Sequence, residues 1–190
     1  MQKVSYLTPK QIREVLDIAP TVRDQLVIEL VSRTGLTRLE LVSLDVSDID
    51  FEKRFLRAKG KFGRERLLPL PSDTLTRLHV YIGSRKAGKL IRSQKSKGTS
   101  GISAKEINSI ITKAGRAAGY QAASGKGLNS YVLRYSFVIN SLKAGMSVAT
   151  IRYIVGKNTL RKALDLIPEK DLSGIQADYE EHIGGVVPYG

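Results

Sequence analysis

Cysteine is missing from this 190-residue chain, so neither a disulfide framework nor a thiolate site is available to it. Histidine is nearly missing too: with only His79 and His182, a histidine-built metal centre is not expected. No run approaches the roughly 18 apolar residues that a membrane span needs. The first residues do not follow the charged-then-apolar order of a secretory leader. The expected compartment is therefore the cytoplasm, with no membrane contact. Acidic residues are scarce relative to basic ones: 18 Asp and Glu face 31 Lys and Arg, a net charge of +13. Such an excess points to a polyanionic partner, nucleic acid above all, with a basic ribosome-associated or merely soluble protein as the blander alternative.

What is present is the balance of a globular protein, 42% hydrophobic and 26% charged, at a length that suits one domain. Thr8-Pro9-Lys10-Gln11 has the form of a capped helix start, and Ile12, Val15, Leu16 and Ala19 follow at helical spacing. A second helix is expected from about Thr21 to Arg33, with Val22, Leu26, Val27 and Leu30 inward. After Thr34-Gly35 a third carries Leu36, Leu39, Leu41, Val42 and Leu44. Phe51 to Leu56 and Glu65 to Leu70 read as strands of a hairpin around Gly60 and Gly63. Further helices are expected after Ser72 and Ser103. Between them, Gly83 to Gly101 reads as linker-like, ordering only against a partner. From Gly83 to Lys126 ten Lys or Arg stand against Glu106 alone, +9, so this segment is the expected electrostatic footprint.

The stretch from Tyr131 to Lys157 organises the rest. Val132, Leu133, Phe137, Val138 and Leu142 recur at helical spacing, Ala144-Gly145 stops that helix, and a second begins near Ser147 with Val148, Ile151, Ile154 and Val155. The expected form is a helix-turn-helix hairpin with one buried face. Tyr131 and Arg134, at i and i+3, are placed to point the same way and grip one phosphate.

Tyr131-Val132-Leu133-Arg134-Tyr135-Ser136-Phe137, followed by Leu142-Lys143-Ala144-Gly145 and Val155-Gly156-Lys157, resembles the second catalytic box of the tyrosine recombinases, the phage-integrase family. The segment from Arg33 to Phe51 is similar to the first box, with Gly35, Leu36, Glu40, Leu41, Leu44, Asp48, Ile49 and Asp50 at the family spacing. The hairpin resembles the family's lysine-bearing one, with Arg66, Pro69 and Leu70 fixing its register. The resemblance implies a mainly α fold with a small antiparallel β-sheet, and one catalytic-type domain over residues 1–190. Its core would span about 7–164, and 165–190 would be a C-terminal segment bearing the nucleophile helix. In the family a separate DNA-clamping domain usually precedes the catalytic one. Few residues precede Leu7, so no such N-terminal core-binding domain is expected here. The chain is then either a fragment of a longer protein or a relative lacking the clamp.

By the same resemblance Arg134 falls on the second active-site arginine, Lys61 on the hairpin lysine with nearby Lys59 as the alternative and a surface phosphate contact as the blander role, Tyr131 on a histidine, and Lys157 on a histidine or tryptophan. The first catalytic arginine falls on Thr37, and its neighbour Arg38 either restores that role or meets solvent or backbone phosphate. No tyrosine lies in the short interval after Lys157 where the family places its nucleophile. Tyr179 is the candidate, although residues 165–183 carry a net −5. Tyr153 and Tyr189 are weaker candidates, the first expected in the core. The implied chemistry is DNA strand cleavage through a covalent 3′-phosphotyrosyl link, with no metal or other cofactor. The implied partners are double-stranded DNA and, through the C-terminal segment, a second copy. The DNA-contact candidates are Lys59, Arg64, Arg85, Lys86, Lys89, Arg92, Lys95, Lys97, Lys113 and Arg116. Two alternatives stand beside this reading: a catalytically degenerate relative that binds DNA, and an unrelated basic helical protein that binds RNA or ribosomes.

Overall fold

The structure, a computed structural model, describes residues 1–60, 65–94 and 100–166. Helix α2 (Val22–Thr34) is buried over most of its circumference, polar Arg23, Asp24, Glu29, Ser32 and Thr34 included, and Leu26, Val27, Ile28, Leu30 and Val31 are fully buried. A helix buried on every side is a core helix. Around it pack α1 (Pro9–Asp17), α3 (Arg38–Ser43), α4 (Ser72–Ile82), α5 (Ala104–Ala117) and α6 (Ser130–Lys143). Thr8 caps α1 in the expected capping box with Gln11. Val22, expected inward, is half-exposed at the first position of α2, where Arg23 and Asp24 take the buried places of the first turn. Leu39 is likewise exposed, on the outer side of the short α3.

Strands β2 (Ile49–Asp50), β3 (Phe55–Lys59) and β4 (Glu65–Pro69) form the expected small antiparallel sheet. The first hairpin strand starts later than the sequence suggests: 51–54 is a turn in which Arg54 takes φ 58, and pairing begins at Phe55. Leu56 pairs with Leu68 and Ala58 with Arg66, so Arg66 shares the inward face with three buried apolar residues. A parallel pair, β1 (Gln2–Val4) with β5 (Tyr120–Ala122), adds a second small sheet that three-residue strands do not announce by alternation.

The tract after α4 is not linker-like over its described part. Leu90 and Ile91 are buried, Leu90 donates to the Leu44 carbonyl at 2.9 Å, and Val46 donates to that of Gly88 at 2.9 Å. Two adjacent apolar residues and backbone pairing to the 44–46 segment, through an isolated bridge of Asp45 with Lys89, supply the anchor that composition conceals. Its base is held by Arg23, buried on α2, whose guanidinium reaches Asp24 at 2.6 Å and Glu106 at 2.7 Å, while Ser93 donates to Glu106 at 2.7 Å.

The hairpin of α6 and α7 (Val148–Val155) is as expected, followed by α8 (Lys157–Leu164). Ile151, Ile154 and Val155 are buried, whereas Val148, expected inward, lies exposed on the first turn of a helix little more than two turns long. Tyr153, expected in the core, is also exposed, and its hydroxyl accepts from the Leu67 amide at 3.3 Å on the open edge of β4.

Gly35 closes α2 in the left-handed region at φ 62, and a Cβ there would meet Val155 Cγ1 at 2.7 Å and Phe137 Cδ1 at 2.9 Å. Strain and overpacking coincide, so Gly35→Ala is expected to cost about 2–4 kcal/mol. At Gly119, also at positive φ but with nothing within 4 Å of a Cβ, alanine is expected to cost only about 1 kcal/mol. Urea unfolding midpoints of the two variants check the difference.

Candidate nucleic-acid interface

Thr37 is the N-cap of α3. Its hydroxyl oxygen accepts from the Glu40 amide at 3.2 Å, and its own amide donates back to Glu40 Oε2 at 2.8 Å. This capping box turns the Glu40 carboxylate inward instead of leaving it in solvent. From β4, Arg66 meets it fork-on, Nη1 to Oε1 at 2.5 Å and Nη2 to Oε2 at 3.0 Å, and donates Nε to the Ile154 carbonyl at 2.6 Å. From α6, Arg134 Nη1 stands 3.9 Å from Oε2. One carboxylate thus gathers two guanidiniums from different elements.

Arg134 is buried, with 7% of its surface exposed. It donates to the Gly35 and Val155 carbonyls and to Thr159 Oγ1. Burial pulls its pKa down, Glu40 opposes that, and Arg66 adds to it; an arginine nonetheless stays protonated in a protein. For Glu40, burial favours the neutral acid, but hydrogen bonds from Arg66 and the Thr37 amide outweigh it and leave the pKa below its ordinary 4.5.

Arg66 and Arg134 line an open cavity of about 630 Å³, together with Glu40, Glu65, Tyr153 and the Gly156-to-Thr159 turn that starts α8. No side chain caps that helix start, so its first amides and the dipole favour an anion there. An adjoining cavity of about 380 Å³ shares Glu40, Gly60 and Arg134 and adds Thr37, Arg38, Leu39, Lys59 and Tyr131.

The sequence candidates separate accordingly. Arg134 lies at the centre, Lys157 is exposed on the wall of the larger cavity, and half-buried Arg38 lines the smaller one. Tyr131 does not share the environment of Arg134: it is 56% exposed, its ring 6.4 Å from that of Tyr135, although both residues border the smaller cavity. Lys59 borders that cavity too and is ion-paired to Asp48 at 2.8 Å. Arg85 spends its donors on the Ile82, Lys89 and Leu90 carbonyls and lies over the Tyr81 ring, and Lys89 reaches Asp45 and the Ser43 carbonyl. Lys86, Arg92, Lys113 and Arg116 are exposed. Lys61, Arg64, Lys95, Lys97, Tyr179 and Tyr189 lie outside the described residues. Glu40, Arg66 and Thr159 were not among the sequence candidates. The signals for the first two were the Thr-x-x-Glu capping box and an arginine in phase with the apolar residues of β4, whereas Thr159 gave none. Among the described residues no group of three or more His, Asp or Glu could hold a metal ion, and no helix is long and apolar enough to cross a membrane.

Residues 5–163 match the phage integrase family, and the chain belongs to it. Among curated relatives, tyrosine recombinase XerA of Pyrococcus furiosus is 30% identical over 159 residues, covering 81% of this chain and 54% of its own length. The chain spans about half the length of the curated relatives it matches. The fold is that of solved tyrosine recombinases. The crystal structure of XerA recombinase superposes with a TM-score of 0.74 at 19% identity, covering 96% of this chain and 65% of the other. The Tn1549 transposon integrase in complex with transposon right-end DNA gives 0.73 at 18% identity, covering 95% and 67%.

Because the folded Glu40 carboxyl titrates below its unfolded value, its ionisation favours the fold above that value. The contribution is lost as pH falls from the ordinary 4.5 through the lower folded pKa. Glu40→Gln is therefore expected to flatten the acid limb of a plot of melting temperature against pH, read by circular dichroism. An acid limb as steep as that of the wild type would show that other carboxylates set it.

Proposed function

We propose that this chain is the catalytic-type domain of a site-specific tyrosine recombinase that grips duplex DNA and cleaves and rejoins its strands. The observation that carries the reading is the convergence of Arg134, Arg66, Lys157 and the uncapped start of α8 on one open cavity. Fixed guanidiniums and amides are suited to a phosphodiester whose non-bridging oxygens gain charge in the transition state, and one such donor is typically worth about 10²–10³ in rate. In the proposed step the Tyr179 hydroxyl releases its proton to solvent as its oxygen bonds to phosphorus, and the bond to the 5′-oxygen breaks. The leaving oxygen takes a proton from Lys61, and a 3′-phosphotyrosyl link remains until another strand's 5′-hydroxyl reverses the step. Lys157 and Tyr131 would donate hydrogen bonds at the rim, and Arg38 would contact the phosphate or its neighbour. The acidic segment after Leu164 would dock on a second, basic copy, and the expected location is the cytoplasm or its nucleoid.

Related proteins solved with DNA, such as the Tn1549 integrase, support the choice of partner. One observation favours a second reading, a domain that clamps DNA without cutting it: Thr37 is committed to capping α3, so no guanidinium stands at that position.

Several phosphate contacts make affinity fall by about 10-fold or more when NaCl rises from about 50 to about 200 mM. Fluorescence anisotropy with a random-sequence duplex measures this. Lys113→Ala with Arg116→Ala is expected to reduce the salt slope. An affinity flat in salt, or RNA preferred over duplex, would remove duplex DNA as the partner.

A further inference from the structure

Arg134 has few donors to offer a ligand. Of its five N–H groups, Nε is directed at Thr159, Nη1 at the Gly35 carbonyl, and Nη2 at the Val155 carbonyl and Thr159. The Nη1 group also faces Glu40. A phosphate entering the larger cavity must find its remaining donors elsewhere. Thr37 cannot supply them, since it carries no charge and its hydroxyl donates to Glu40 Oε2 at 2.9 Å.

Arg66 can. Three of its five N–H groups are used, on Ile154 and the two oxygens of Glu40, and one on each terminal nitrogen remains. Its side chain retains 15% exposure and lines the cavity. The carboxylate fork and the Ile154 carbonyl fix the guanidinium plane before any ligand arrives, so little entropy is lost on binding. The charges lining the cavity also balance a single phosphodiester: Arg66, Arg134 and Lys157 stand against Glu40 and Glu65, net +1.

We infer that Arg66, held by Glu40 and the Ile154 carbonyl, is the second phosphate-binding guanidinium of this site, in place of a side chain that Thr37 does not provide. This rests on the reading of the cavity as a phosphodiester site. Glu40 is then both the support of Arg66 and a tuning charge, because it orients the guanidinium while offsetting its attraction for phosphate.

The test is duplex binding by anisotropy over a NaCl series, using the whole chain as wild type, Arg66→Ala, Arg66→Lys, Glu40→Gln and Lys157→Ala, each with its melting temperature. Arg66→Ala is expected to lower the salt slope by about one phosphate contact. Arg66→Lys should restore the slope in part without restoring affinity, since lysine has no planar fork. Glu40→Gln is expected to bind several-fold more tightly despite a lower melting temperature, a result that a purely structural Arg66–Glu40 pair would not give. If Arg66→Ala does not fold, Arg66→Lys decides: a folded variant with the affinity and salt slope of the wild type overturns the inference. A slope that responds to Lys157→Ala but not to Arg66→Ala overturns the role of Arg66 and leaves the DNA reading standing. Wild-type binding flat in salt overturns both.

Discussion

The Glu40 carboxylate is the joint on which the site depends. It closes the N-terminus of α3, receives the fork of Arg66 from β4 and faces Arg134 on α6. Taking a carboxylate out of water is costly unless its oxygens are satisfied, and here they are satisfied by charged and backbone donors together. Deleting it would leave the Arg66 and Arg134 guanidiniums without their shared counter-charge, and breaking a buried pair in this way typically costs about 3–5 kcal/mol. The packing of α3, β4 and α6 and the lining of the candidate site are thus held by one group.

A second constraint is the separation of roles within a strongly basic surface. Among the described residues Lys86, Arg92, Lys113 and Arg116 are exposed, but other arginines and lysines are internal fasteners. Arg23 ties α2 to the start of α5, Arg85 braces the turn after α4, and Lys89 joins that turn to the 43–45 segment. Formal charge therefore overstates the footprint. Arg134 and Arg66, at the heart of the candidate site, differ from exposed Lys157 beside them by being largely buried, paired and fixed in orientation.

Much of this was legible in the sequence because local rules agreed with one another. The helices, their caps at Thr8 and Ser103, the α6–α7 hairpin and the small antiparallel sheet follow from periodicity and capping alone. What was not legible depends on partners far along the chain. Leu90 and Ile91 look like an interruption in a polar tract until Leu44 is seen beside them, and Tyr153 fits an apolar stripe until the open edge of β4 draws its hydroxyl outward. Arg66 read as a register mark because its partner, Glu40, lies 26 residues earlier on another element. The box spacing singled out Arg134, Arg38 and Lys157, which line the two adjoining cavities, whereas the pairing of charges around Glu40 came only from the fold.

The most direct measurement of the central claim is a covalent trap. The chain is incubated with a pool of nicked duplexes from which the cleaved strand's leaving fragment diffuses away, then resolved on a denaturing gel and mapped by mass spectrometry. The predicted result is a DNA adduct on Tyr179 that is lost in Arg134→Ala. Salt-sensitive duplex binding with no adduct from any nicked duplex would contradict strand cleavage and leave a domain that only holds DNA.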